Sequence, residues 1–203
     1  AFIPGLALTL GLSELAARNL MSGTARIMDA VMILFKIYFG GVLGIALGKM
    51  LWGEVAFVEP PHTPNWTLWA AVTTLSISLV ILFKCRKKDA PWGIISGYIA
   101  FGASIVGTEY LGVALGAFVG AFALGIYSNL FSRIMNLPSS VVKLLGLVVL
   151  VPGSKVYMGL SNAVSGQTML NATDIGSQAF LIFMSLVAGL IFANVALPPR
   201  KML

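Results

Sequence analysis

Charge is scarce in this chain. Only 10% of its 203 residues are Asp, Glu, Lys or Arg, against about 25% in an average soluble domain. Thirteen basic and seven acidic side chains cannot build a water-facing surface on a body of this size. That excludes a soluble globular enzyme, a nucleic-acid-binding domain and a disordered chain. Cysteine is nearly absent: Cys85 alone cannot form an internal disulfide, and its surroundings, Phe83-Lys84-Cys85-Arg86-Lys87-Lys88, read as a loop on the reducing, cytoplasmic side. The single histidine, His62, sits among prolines with no Cys, Asp or Glu at ligand spacing. It reads as a loop residue, and no metal or other cofactor is expected. No basic segment, apolar segment and cleavage site in that order opens the chain, so no signal peptide is expected.

What the chain does have is apolar sequence: 58% of residues are hydrophobic and the mean hydropathy is +0.94. The expected class is all-α, a polytopic helical membrane protein. A helical span takes about 20 mostly apolar residues, and six candidates follow one another at about residues 28–51, 67–83, 91–108, 110–131, 139–151 and 173–197. The third opens with Pro91, a natural first-turn residue. The fifth is short and ends at Pro152-Gly153. The runs lack the alternation of a membrane barrel. Two stretches, 2–26 and 151–171, are neither good spans nor good loops. Each reads as an interfacial helix or as an interrupted helix buried in the protein.

Basic residues set the expected orientation. Lys84, Arg86, Lys87 and Lys88 crowd one loop; Arg133, then Arg200 and Lys201, fall on the same side two and four spans later. Arg18 and Arg26 precede the first span. The opposite side carries Glu54, Glu59 and Glu109 in its turns. Six spans with both chain ends cytoplasmic, in a cell (inner or plasma) membrane, are expected.

The chain also repeats itself. Ile3-Pro4-Gly5 matches Val151-Pro152-Gly153, and Gly11-Leu12-Ser13 matches Gly159-Leu160-Ser161, both at an offset of 148 residues. With a three-residue gap, Asp29 pairs with Asp174 and Gly44 with Gly189. Five spans separate the copies, and an odd number inverts them, an architecture common in secondary transporters. Two units of about five spans each (5+5) are expected. On that count residues 1–58 are the end of a first unit, 59–66 an extracytoplasmic linker, and 67–203 a whole second unit. Helices before Ala1, or a partner chain, are expected to complete the first unit.

The residues at these positions resemble a known family. Phe2-Ile3-Pro4-Gly5-Leu6, Glu14-Leu15 and Ser22-Gly23-Thr24-Ala25-Arg26 look like the end of the first transmembrane region of the threonine/serine exporter family. Pro91-Trp92-Gly93, Gly116-Ala117-Phe118, Pro138, Leu150-Val151-Pro152-Gly153-Ser154, Tyr157 and Gly159-Leu160 look like its second region. The resemblance runs from about residue 2 to about residue 200. It implies a ten-span exporter of threonine and serine driven by the proton gradient, split in some members into two polypeptides.

A zwitterionic amino acid needs donors for its carboxylate, supplied by a helix start, and acceptors for its ammonium. Pro4-Gly5 and Pro152-Gly153 can expose both kinds of group at membrane depth, where irregular backbone lines a cavity or is buried. The alternative is that each Pro-Gly only turns one helix into the next. Thr9, Ser13, Ser154 and Ser161 add hydroxyls nearby. Asp29, Asp174 and Glu14 read either as helix-end charges or as proton-coupling carboxylates. Lys36, inside Leu34-Phe35-Lys36-Ile37-Tyr38 and seven residues after Asp29, is expected to point into the protein, with snorkelling as the alternative. Lys155 reads as a carboxylate attractor or a surface lysine. Gly40, Gly44 and Gly48, and again Gly112, Gly116 and Gly120, repeat at the four-residue spacing of close helix contacts.

The leading expectation is a proton-driven antiporter exporting small hydroxylated amino acids by alternating access, with an amino-acid substrate, no nucleic-acid partner, and homo-oligomerisation left open. Two other readings stand beside it: a channel or transporter of another small metabolite, and a non-transporting membrane subunit that stabilises a partner.

Overall fold

A computed structural model describes residues 4–53, 64, 66–151, 153 and 169–200, with the backbone alone over 169–176. The described residues form seven helices: α1 (Pro4–Ala16), α2 (Leu20–Trp52), α3 (Trp66–Leu82), α4 (Ala90–Leu111), α5 (Val113–Met135), α6 (Ser140–Leu150) and α7 (Met169–Ala196). Their boundaries follow local chemistry. Pro4 and Pro91 sit in first turns, where a missing N–H costs nothing. Gly112, at φ +84°, ends α4 and starts α5 in a single residue, a backbone that side chains resist. Asn136 adopts the left-handed conformation and stops α5 just before Pro138.

Among the described residues four helices are long and apolar enough to cross a membrane: α2, α4, α5 and the 177–196 part of α7. Of the other two expected spans, α3 has 17 residues and α6 has 11. At 1.5 Å per residue α6 is about 17 Å long, little more than half of a hydrocarbon core about 30 Å thick. The stretch 2–26 resolves as α1, a turn, and the first two turns of α2, so the first long helix starts eight residues earlier than its hydropathy suggested. No residue from Pro4 to Leu15 is fully exposed. Gly5, Leu6, Thr9 and Gly11 are buried there and the rest half-buried, which favours the buried alternative for this stretch; residues 152 and 154–168 of the other lie outside the described residues.

α5 is the hub, packing against α4, α6 and α7, while α3 lies outside against α4 and α6. Leu124, Leu147, Leu186 and Ala121 are fully buried at the centre. Small residues set the approach distances. A Cβ at Gly120 would lie 2.9 Å from the Ala100 carbonyl oxygen, and one at Gly189 would lie 2.6 Å from that of Phe118. The second expected glycine series therefore makes the α4–α5 contact. Gly40, Gly44 and Gly48 have nothing within 4 Å: among the described helices α2 packs against α1, and it is almost bare beyond Leu34.

The turns α3–α4 and α5–α6 share the walls of one cavity of about 450 Å³, so they lie at one end of the bundle. Arg133 Nε and a terminal guanidinium nitrogen donate to the Pro198 carbonyl at 3.1 and 2.9 Å, which brings the end of α7 to the same level. Arg18, Lys84, Arg86, Lys87, Lys88, Arg133 and Arg200 all gather at this end. The other end carries Glu109 and, in the last turn of α2, Lys49. Cys85, half-buried in the α3–α4 turn, has its thiol pKa pushed up by burial and by the nearby Asp89.

Candidate functional site

α1 and α6 are the two short helices, and both reach the basic end. At about 17 Å α6 extends only partway along α5, whose 23 residues span about 35 Å. The tip of α6 is level with the middle of α5, because a Cβ at Gly120 would meet Leu150 Cδ2 at 3.0 Å. There the two expected Pro-Gly elements come together. A Cβ on Gly5 would strike the Val151 side chain and would lie 3.3 Å from Gly153 Cα and 3.6 Å from Gly153 N. The backbones of the two elements are therefore in near contact well inside the bundle. Pro152, Ser154 and Ser161 lie outside the described residues, as does Lys155.

Gly5, Thr9 and Ser13 form one ridge of α1 at four-residue spacing. Thr9 is fully buried and its hydroxyl donates to the Gly5 carbonyl at 3.0 Å. That hydroxyl is occupied within its own helix. Ser13, one turn on, opens onto a cavity of about 390 Å³ at the basic end, where α1 ends, α6 begins and α7 ends. α1 and its turn contribute Ser13 and Asn19; α6 and its preceding residue contribute Ser139, Ser140 and Lys143; the end of α7 contributes Asn194 and Pro199. The far wall is tied down: Asn129, fully buried on α5, donates to Asn194 Oδ1 at 2.9 Å and to the Leu197 carbonyl at 2.8 Å. Lys143, Asn194, Asn19 and Asn129 were not singled out from the sequence. Lys143 sits in Val141-Val142-Lys143-Leu144-Leu145, the one charge in that helix, and this signal could have flagged it.

The remaining candidates lie elsewhere. Glu14 closes the α1–α2 elbow. It accepts hydrogen bonds from Ser22 Oγ at 2.5 Å and Arg26 Nε at 3.0 Å, and a terminal nitrogen of Arg26 lies 2.9 Å from the same carboxylate oxygen. Gly11 and Gly23 let the helices approach there, since a Cβ at Gly23 would lie 2.9 Å from the Gly11 carbonyl oxygen. The Ser22 hydrogen bond, then the Arg26 contacts, outweigh burial and hold the Glu14 carboxyl below the usual carboxylate range. With these bonds Glu14 ties the start of α2 to the end of α1.

The folded-state pKa of Glu14 lies below the unfolded one. Its stabilisation is therefore complete above the unfolded value of about 4.3 and is lost as pH falls through the folded value. For an exposed pair the effect is small. Glu14→Gln is expected to lower stability at pH 7 by less than about 1 kcal/mol. The difference should close below about pH 4, as read by thermal unfolding in detergent at both pH values.

Asp29 and Lys36 are both exposed on α2. The expected inward turn of Lys36 towards Asp29 is not made. Seven residues give about 10 Å of rise, too far for direct pairing, and no described helix covers that part of α2. Asp174 lies in α7 with its side chain outside the described residues. Among the described residues no cluster of three or more His, Cys, Asp or Glu is placed to hold a metal.

The chain matches the family described as "Threonine/Serine exporter, ThrE" over residues 67–196, and a second threonine/serine exporter family over residues 1–48. It is 25% identical to a threonine/serine exporter of Corynebacterium glutamicum, over 95% of this chain and 40% of that protein. It is 29% identical to pheromone-regulated membrane protein 10 of Eremothecium gossypii, over 74% of this chain and 21% of that protein. Against the Saccharomyces cerevisiae S288c protein of the same name the identity is 27%, over 85% and 46%. The chain thus spans less than half the length of these relatives. No solved structure matches. With four membrane-length apolar helices and a family match over well more than half of its residues, this chain is a multi-pass helical membrane protein and belongs to the threonine/serine exporter family.

Proposed function

We propose that this chain forms part of the transport core of a secondary exporter of threonine and serine, working by alternating access. The observation that carries the reading is the near contact of Gly5, in the first turn of α1, with Gly153, just past the end of α6 and partway along α5. Broken helices at membrane depth are how transporters present unpaired backbone groups to a small polar substrate. The substrate class comes from the family and from the name of the Corynebacterium relative. The matches over residues 1–48 and 67–196 support a division into the end of one repeat, a linker at 59–66, and a second repeat. Inversion of the repeats fits the directions of α2 and α7: α2 starts at the basic end and α7 finishes there. The gathering of basic residues at that end supports a cytoplasmic location for both chain ends in a plasma or inner membrane.

Proton coupling is assigned to Asp29 and Asp174, the paired carboxylates of the repeat. The test is threonine efflux from proteoliposomes holding the complete transporter under an imposed pH gradient. Asp29→Asn and Asp174→Asn keep shape and remove titration, and at least one is expected to cut pH-driven efflux tenfold or more. Unchanged efflux in both variants would remove the proton role.

A second reading, a membrane subunit completed by another helical chain, is favoured by one observation. The face of α2 bearing Asp29, Lys36, Gly40, Gly44 and Gly48 is uncovered, and a charge left in hydrocarbon costs a few kcal/mol. Co-purification of a second polypeptide required for efflux would establish it.

A further inference from the structure

We propose that the cavity walled by α1, α6 and α7 at the basic end is the subsite that receives the carboxylate of the transported amino acid, with Lys143 as its cation and Asn194 as its second donor. This rests on the exporter reading and adds to it the residues and the group recognised.

The charge on the wall is of one sign. Lys143 is the ionisable residue lining the cavity, and none of the lining residues is acidic. Its amine makes no ion pair or hydrogen bond with a described residue, although the side chain is partly buried on the second turn of an apolar helix. A half-buried cation without a counter-ion is costly, and a carboxylate entering the cavity supplies the missing charge. Asn194 is oriented for the same task. Asn129 Nδ2 donates to Asn194 Oδ1, so the acceptor end of Asn194 is turned to α5 and its amide hydrogens remain to be used. Asn129 is itself fully buried, and its Oδ1 has no partner. The bonds from Asn129 to Leu197 and from Arg133 to Pro198 then keep the α7 wall attached to α5.

The rest of the lining suits the other groups of the same substrate. Ser13 and Asn19 bring oxygen acceptors for an ammonium, and Ser140 offers a hydroxyl to a substrate hydroxyl. A volume of about 390 Å³ falls within the roughly 300–1,000 Å³ of small-molecule sites. Placement fits as well. α1 belongs to the first repeat and α6 and α7 to the second, so a rocking of one repeat against the other would open or close this cavity. The Gly5–Thr9–Ser13 ridge connects it to the Gly5–Gly153 contact.

The test is equilibrium binding of radiolabelled threonine to the complete transporter in detergent, with competition by unlabelled threonine and by threonine methyl ester, which lacks the carboxylate. In the wild type, threonine should compete at least tenfold better than the ester. Lys143→Gln should bind threonine at least tenfold more weakly and discriminate little between acid and ester. Lys143→Arg, which keeps the charge, should retain most of both properties. Should Lys143→Gln fail to fold, Asn194→Asp decides: a carboxylate placed beside Lys143 should weaken threonine binding tenfold or more, and unchanged affinity would overturn the subsite. Undiminished preference for the acid over the ester in Lys143→Gln would also overturn it while leaving the exporter reading intact. A wild-type complete transporter that bound neither threonine nor serine would overturn the exporter reading, and the subsite with it.

Discussion

Gly189→Leu is expected to destabilise the chain by about 3 kcal/mol or more, at the top of the range for forcing bulk into a packed interior. The first atom of any side chain at that position would lie 2.6 Å from the Phe118 carbonyl oxygen, 2.9 Å from Ala121 Cβ and 3.0 Å from Phe122 N. Two of these three atoms are backbone of α5, so no rotamer change relieves the clash, and α7 must move off the hub of the bundle. Gly40→Leu is the matched control. It makes the same change at the same kind of position on a long apolar helix, but nothing lies within 4 Å, so stability should not fall and should rise by up to about 1 kcal/mol from the gain in helix propensity. Denaturant titration in mixed micelles reads both. Equal stability of the two variants would mean that α5 and α7 do not pack as described.

Gly5→Leu is expected to abolish efflux in proteoliposomes, a loss of tenfold or more, with a smaller effect on the folded yield. The added side chain would collide with Val151 and push α1 off the backbone of Gly153. The hub, built by α4, α5, α6 and α7, does not depend on that contact. Thr9→Val separates a packing role from a binding role at the neighbouring position. Thr9 spends its hydroxyl on the Gly5 carbonyl and is fully buried, so the isosteric change should cost about 1 kcal/mol and leave most of the efflux. Wild-type efflux by Gly5→Leu would detach the Gly5–Gly153 contact from transport.

The bulk of the fold was legible in the sequence because it follows from solvent. With 10% charge and 58% apolar residues, the chain can only satisfy its backbone inside a bilayer as helices, and the apolar runs mark where those helices lie. Part of the punctuation was legible for a related reason. Pro91 acts within one turn of itself, so its effect needs no partner; Gly112 and Asn136, which end α4 and α5, were not read as helix ends. Pro152-Gly153 could be picked out as the end of the fifth run on the same ground, and α6 stops at Leu150. The family could be picked out too, since its short motifs carry the residues that close the α1–α2 elbow, Glu14, Ser22, Gly23 and Arg26.

What depends on residues far apart in the chain was decided only by the tertiary structure. Hydropathy read 139–151 as a short span, but whether 11 helical residues cross a membrane or stop inside a bundle depends on what meets their tip, and here that is Gly5. Lys36 drew attention because a charge within an apolar run is conspicuous; yet it lies on the bare face of α2, since direction around a helix is fixed by neighbours and not by composition. That Ser22 and Arg26 fold back onto Glu14 could not be read from the sequence, because they lie 8 and 12 residues away across the elbow. Lys143, Asn194, Asn19 and Ser13 come from three separate segments of the chain and form one polar cavity only when α1, α6 and α7 converge. The physical reason is the same in each case: burial in hydrocarbon is a property of the run of residues itself, whereas a binding cavity is a property of the distances between runs, which packing sets.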